Sequence, residues 1–179
     1  MATIYLTVPG ITNSGEDHWQ SRWERQCPER FRRILQKEWD EPAVDDWIST
    51  IEANVQEAGP ENVVLAAHSL GCVAVAHWSG KYGTRIKGAF LVGPSDCETD
   101  KYGGTFSSTG FAPIPLESLA FPSLVVASTN DEWVAFDRAK YFADAWGSQF
   151  ANVGDKGHIN ASSGFGEWTE GLELLKKLD

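Results

Sequence analysis

Residues 63–76 read V-V-L-A-A-H-S-L-G-C-V-A-V-A, and the fold follows from how this stretch turns. The apolar run Val63 to Ala66 has the composition of a buried strand. Small and apolar residues then continue at helical spacing through Val73, Ala76 and Trp78. A strand delivered straight into a helix leaves little room at the junction, so the residues two before and two after the apex must be small. Ala67 and Gly71 meet that demand, which places Ser69 at the apex with its hydroxyl exposed above a helix N-terminus. The alternative is a strand–helix junction at which Ser69 only caps the helix. An acid and a base placed at other strand ends would decide between the two.

Working outward, Thr3 to Val8 is a β-branched run broken by Pro9-Gly10, a first strand entering a loop. Trp19, Trp23 and Cys27 recur every four residues, as on one helix face. Residues 31–35 form a weaker strand. Val44, Trp47, Ile48, Ile51, Val55 and Ala58 trace an amphipathic helix stopped at Gly59-Pro60. Beyond the central helix, 86–92 reads as a fourth strand, 123–128 as a fifth and 149–153 as a sixth. Helices fall between them, and a last one carries Phe165, Trp168, Leu172 and Leu175. The segment 95–122 is long and rich in Gly, Ser and Pro, the profile of a lid-like or binding loop. Alternating strands and helices predict one α/β domain over residues 1–179, with a mostly parallel sheet of about six strands covered on both faces. In such sheets ligands gather at the carboxyl ends of strands, where the strand order reverses.

Composition narrows the function classes. The chain has 179 residues, a formal net charge of −10 and no basic run, so neither nucleic acid nor an anionic membrane is an expected partner. No window reaches the length of a membrane span, and Met1 to Val8 lacks the features of a signal peptide. Cys27, Cys72 and Cys97 are odd in number and widely spaced, which fits reduced thiols in a cytoplasm. It fits neither a disulfide framework nor a zinc site, and neither metal nor cofactor is expected.

Asp131 stands three residues beyond the fifth strand and His158 five beyond the sixth. The order Ser69, Asp131, His158 is nucleophile, acid, base, the order used on the α/β-hydrolase fold. A serine hydroxyl needs a neutral imidazole to take its proton and a carboxylate to fix the tautomer. By position His158 is the base. His68 is expected to point away from the site, His77 to be structural, and His18 to edge the pocket or cap its helix. Asp131 competes for the acid role with Asp96, which follows the fourth strand, while Asp155 reads as a turn residue. The oxyanion donors should be the backbone N–H of Leu70 and that of Ile11, with Thr12 the fallback for the second. Trp19, Phe106, Phe111 and Trp133 are candidates for the substrate pocket, with ordinary core packing the alternative for each.

Six stretches carry a more specific likeness: V-P-G at 8–10, D-H-W-Q-S-R-W-E at 17–24, V-L-A-A-H-S-L-G-C-V-A-V-A-H-W at 64–78, G-F-A-P-I-P at 110–115, F-P-S-L-V-V-A-S-T-N-D at 121–131 and G-H-I-N at 157–160. With them the sequence resembles, end to end, the small serine hydrolases that include YdeN-type proteins and retinoblastoma-binding protein 9. The resemblance implies a reduced α/β-hydrolase fold without a large cap domain, with Ser69, Asp131 and His158 as the triad. It implies a carboxylesterase-like serine hydrolase acting on small ester, amide or thioester substrates. A protein-binding module that keeps the fold without turnover is the alternative. Binding to retinoblastoma protein does not carry over, because the chain has no L-x-C-x-E motif: Arg25 precedes Cys27, and neither Cys72 nor Cys97 has Glu two positions on.

Overall fold

The computed structural model describes residues 2–99, 101 and 109–179. Six parallel strands form the sheet: β1 (Ile4–Val8), β2 (Phe31–Arg33), β3 (Val63–His68), β4 (Gly88–Val92), β5 (Ser123–Ala127) and β6 (Gln149–Asn152). Between and after them run α1 (Trp19–Gln26), α2 (Val44–Ala58), α3 (Leu70–Tyr82), α4 (Phe136–Trp146) and α5 (Thr169–Leu175). The strands lie in the order β2-β1-β3-β4-β5-β6, every neighbouring pair parallel.

The strands are apolar nearly throughout because both faces are covered. Successive side chains alternate between two cores. Leu6, Val8, Leu65, Ala67, Leu91 and Val125 join Trp47, Trp78, Phe142 and Trp146 on one face. Tyr5, Val64, Ala66, Phe90 and Val126 join Trp19, Trp23 and Trp168 on the other. The edges β2 and β6 are the shortest strands and the least buried, which limits pairing with another chain.

This topology fixes where a site can form. From β1 the chain steps outward to β2, then returns to the opposite side of β1 for β3 and continues to β6. The crevice of an open sheet lies at that reversal, outside the carboxyl ends of β1 and β3. Here the two loops nearly touch. A Cβ on Gly71 would sit 2.2 Å from the Val8 carbonyl oxygen and 2.7 Å from that of Pro9. The small residue expected after the apex is thus required by the neighbouring loop as well as by the turn.

Of the long connection, residues 109–121 pack into the α2–α3 side of the molecule. Phe111 is fully buried, crosses Trp47 with ring centroids 5.6 Å apart, and accepts through its carbonyl from His77 Nε2 at 3.0 Å. No described helix is long and apolar enough to cross a membrane.

Candidate active site

Ser69 lies between β3 and α3 with φ 57° and ψ −125°, a conformation strained for any residue but glycine. Although it occupies the cap position of α3, its side chain makes no capping hydrogen bond. The hydroxyl instead meets His158 Nε2 at 2.9 Å and Ser95 Oγ at 2.8 Å. The capping alternative is therefore set aside: the turn presents the hydroxyl outward.

The other two members of the triplet arrive on neighbouring loops. Asp131 follows β5, and its buried carboxylate stands 2.9 and 3.0 Å from His158 Nδ1. Its Oδ1 also accepts the Trp133 N–H at 2.8 Å, which fixes the carboxylate plane. Gly93, at the end of β4, makes room for the pair. Its φ is +55°, and a Cβ there would come within 3.2 Å of Asp131 Oδ2 and 3.4 Å of His158 Nδ1.

The loops after β5 and β6 are stitched together beneath this pair. Gly157 N–H donates to Asn130 Oδ1 at 2.7 Å, and Lys156 N–H donates to Ser128 Oγ at 2.9 Å. Thr129 donates to the carboxylate of Asp155, the expected turn residue. Ile159 follows with φ 50°, an unusual conformation for a β-branched residue, so something must hold it there. Two buried donors from elsewhere in the fold do so. His68 Nε2 donates to the His158 carbonyl at 2.9 Å, and Trp19 Nε1 to the Ile159 carbonyl at 3.1 Å.

Asp96, the competing acid, is committed elsewhere. It is buried and gripped by Arg138, whose Nε and Nη2 donate to its two oxygens at 2.8 and 3.1 Å. The geometry brings Asp131 and not Asp96 to the histidine.

A cavity of about 310 Å³ opens over Ser69. The loop after β1 supplies Gly10 to Gly15. His18, His68, Ser95, Trp133, His158 and Asn160 contribute the rest of the polar or aromatic wall. Ile11 and Leu70 both line it, whereas the fallback Thr12 spends its N–H on the Trp39 carbonyl at 3.0 Å. Thr12 and Asn13 have φ of 64° and 65°, and Arg33 ties this loop down. Its guanidinium donates four hydrogen bonds, to Glu24, Ser21, the Asn13 side chain and the Ser14 carbonyl, and pairs with the Glu24 carboxylate.

Trp133 lines the cavity as expected, but two other pocket candidates need correction. Trp19 is fully buried beneath the site, in the aromatic cluster with Trp23, Phe90 and Trp168. Phe111 belongs to the opposite core with Trp47. Both expectations failed because an aromatic at regular spacing looks the same whether its face meets a cavity or a core. Phe106 lies outside the described residues. His68 is a third correction, since it lines the cavity instead of pointing away.

His18 both caps α1, its Nδ1 accepting from Gln20 N at 3.2 Å, and edges the cavity. Burial first, then the charges of Arg33 and a protonated His158, depress its pKa from 6.5 to about 3. Burial likewise holds His68 neutral. The unfolded chain therefore takes up a proton on His18 that the folded chain refuses until near pH 3, so stability is full above pH 6.5 and drains as pH falls. By pH 5 the loss from His18 should be about 2 kcal/mol, with His68 adding in the same direction. Urea midpoints at pH 7.5 and pH 5 measure it, and a midpoint that does not fall would contradict the burial argument.

Comparison with known proteins follows this geometry. A family model described as serine hydrolase matches residues 5–177. The chain belongs to the serine hydrolase family. A putative YdeN-like hydrolase from Pectobacterium atrosepticum is 35% identical, with a TM-score of 0.86 over 99% of this chain and 90% of that one. The ydeN gene product of B. subtilis is 21% identical and superposes with a TM-score of 0.82 over 99% of this chain and 98% of that one. A thermophilic esterase from Thermogutta terrifontis shares the fold at 16% identity, with a TM-score of 0.71 over 99% and 91%. Comparison with curated proteins gives no match.

In this serine hydrolase two polar residues at the site escaped sequence reading, Ser95 and Asn130. Ser95 follows the Gly93-Pro94 break at the end of β4, a position that already marks the carboxyl edge of the sheet. Cys72, just past the apex, is buried, its thiol pushed up by burial and turned to the Val92 carbonyl. It is a packing residue.

Proposed function

We propose that this serine hydrolase cleaves small carboxylic esters through an acyl-enzyme on Ser69, with His158 as base and Asp131 as its orienting acid. The observation that carries the proposal is the unbroken hydrogen-bond path from Ser69 Oγ through both ring nitrogens of His158 to the Asp131 carboxylate. With the carboxylate on the Nδ1 side, the imidazole holds its proton there and leaves Nε2 as an acceptor for the serine proton. Ser95 then donates its own hydroxyl to Ser69 Oγ and fixes the nucleophile's rotamer.

The serine oxygen attacks the ester carbonyl as its proton passes to His158 Nε2. The oxyanion is received by the N–H groups of Leu70 and Ile11, each worth about 3 kcal/mol in the transition state. The imidazolium returns its proton to the departing alcohol, and a water activated by the same nitrogen releases the acid. The modest size of the cavity, about 310 Å³, supports compact substrates over long acyl chains.

The test is turnover across p-nitrophenyl acetate, butyrate and octanoate. The two short esters should be hydrolysed well above the buffer rate and faster than octanoate. No turnover of any ester would overturn the reading.

A further inference from the structure

The Ser69 hydroxyl has two hydrogen-bond neighbours, and only one of them belongs to the triplet. Its single hydrogen is committed to His158 Nε2 at 2.9 Å, because the Asp131 carboxylate keeps the ring proton on Nδ1. Ser95 Oγ, 2.8 Å away, therefore meets Ser69 Oγ only as a donor. Among the described residues the Ser95 hydroxyl has no other hydrogen bond. One lone pair of Ser69 Oγ receives the Ser95 hydrogen, and the other is left to attack. Ser95 itself is held firmly, with 3% of its surface exposed. Its N–H reaches the Ser69 carbonyl at 3.4 Å, and its carbonyl accepts the Cys97 thiol. The next residue, Asp96, donates its N–H to the Trp133 carbonyl at 3.2 Å and is clamped by Arg138 through both carboxylate oxygens. The loop after β4 is thus pinned to α4 and to the loop that carries Asp131, with the Ser95 donor in place before any substrate arrives.

We infer that Ser95 is a catalytic residue: a hydrogen-bond donor to the attacking oxygen, beyond the donors that receive the carbonyl oxygen. The inference rests on the proposed acyl-enzyme at Ser69 and deepens it by naming the group that stabilises charge on the nucleophile itself. On attack the Oγ–C bond forms, the carbonyl π pair moves to the oxyanion and the Oγ proton passes to His158 Nε2. When the acyl-enzyme is hydrolysed, the oxyanion pair re-forms the carbonyl, the C–Oγ bond breaks and the proton on Nε2 returns to Oγ. Ser95 keeps its own proton throughout. In both passages Oγ carries more negative charge than it does as a neutral hydroxyl or as an ester oxygen. A hydrogen bond to a charged acceptor is roughly twice as strong as one between neutral partners. Only that surplus lowers the barrier, and a donor already in place spends nothing on reorganisation.

The experiment compares the wild type with Ser95→Ala and Ser95→Cys in reaction with a fluorophosphonate, which reads the attack by Ser69 without any later step. Inactivation is followed over a range of probe concentrations, so that the limiting rate and the half-saturating concentration are separated. Alanine removes the donor. Cysteine keeps the buried volume filled but offers only a weak S–H donor, so the test stands even where alanine loosens the loop. Both variants should lower the limiting rate by roughly tenfold and leave the half-saturating concentration unchanged. The same fold-loss should appear in kcat/KM for p-nitrophenyl acetate.

Damage to the cavity wall alone would raise the half-saturating concentration and spare the limiting rate. That pattern, or a limiting rate at the wild-type value in either variant, would overturn this inference while leaving Ser69 as the nucleophile. If the wild type neither reacts with the probe nor hydrolyses an ester, the failure is that of the site itself, and this inference falls with it.

Discussion

Ser69→Ala should reduce kcat for p-nitrophenyl butyrate by about 10⁶-fold, the scale seen when a hydrolase of this kind loses its nucleophile. The size follows from what remains. Without the hydroxyl, His158 Nε2 has no proton to take, and only the oxyanion donors and binding are left to assist attack by water. Ser95 does not replace it, because the wild-type Ser95 hydroxyl bonds to Ser69 Oγ and shows no bond to the histidine. The loss should come without any loss of stability, which separates function from folding. Ser69→Gly sharpens the contrast. Relief of the φ of 57° should raise stability by about 1 kcal/mol while leaving the protein as inactive as the alanine variant. A serine kept at that φ despite the strain is a serine kept for its oxygen.

The second large effect is expected at Asp131. Asp131→Asn should lower kcat by about 10⁴-fold at neutral pH. An amide can present its NH₂ to His158 Nδ1, which drives the ring proton to Nε2, the nitrogen that must be free to accept. Asp96→Asn is the control, since on sequence alone Asp96 competes with Asp131 for the acid role. It should act on stability, because Arg138 then loses a bidentate carboxylate in a largely buried setting. If Asp96→Asn cost more activity than Asp131→Asn, the assignment of the acid would be reversed.

The contrast between these two aspartates shows what one dimension carries. The alternation of strands and helices, the small residues around Ser69 and a histidine after the sixth strand are local signals, and each needs only a few neighbours to be read. Whether an aspartate at a strand end serves an imidazole or a guanidinium depends on a partner 42 residues away, which no local pattern records. The same holds for Trp19. Its spacing with Trp23 announces a buried helix face. Its contribution to the site is a hydrogen bond to Ile159, 140 residues distant, that holds the turn bearing His158. The strain at Ile159 has no sequence signature either, because nothing in G-H-I-N says that a β-branched residue must adopt a positive φ. His68 was misplaced because the elbow pattern constrains size at 67 and 71 and says nothing of where the side chain at 68 is sent.

The central claim is that Ser69 is the nucleophile, activated by His158. Its most direct test is reaction with a fluorophosphonate, followed by mass spectrometry of the intact protein and of its peptides. The account predicts one adduct per chain, mapped to Ser69, absent in Ser69→Ala and strongly slowed in His158→Gln. An adduct on any other residue, or labelling of Ser69→Ala at the wild-type rate, would contradict it.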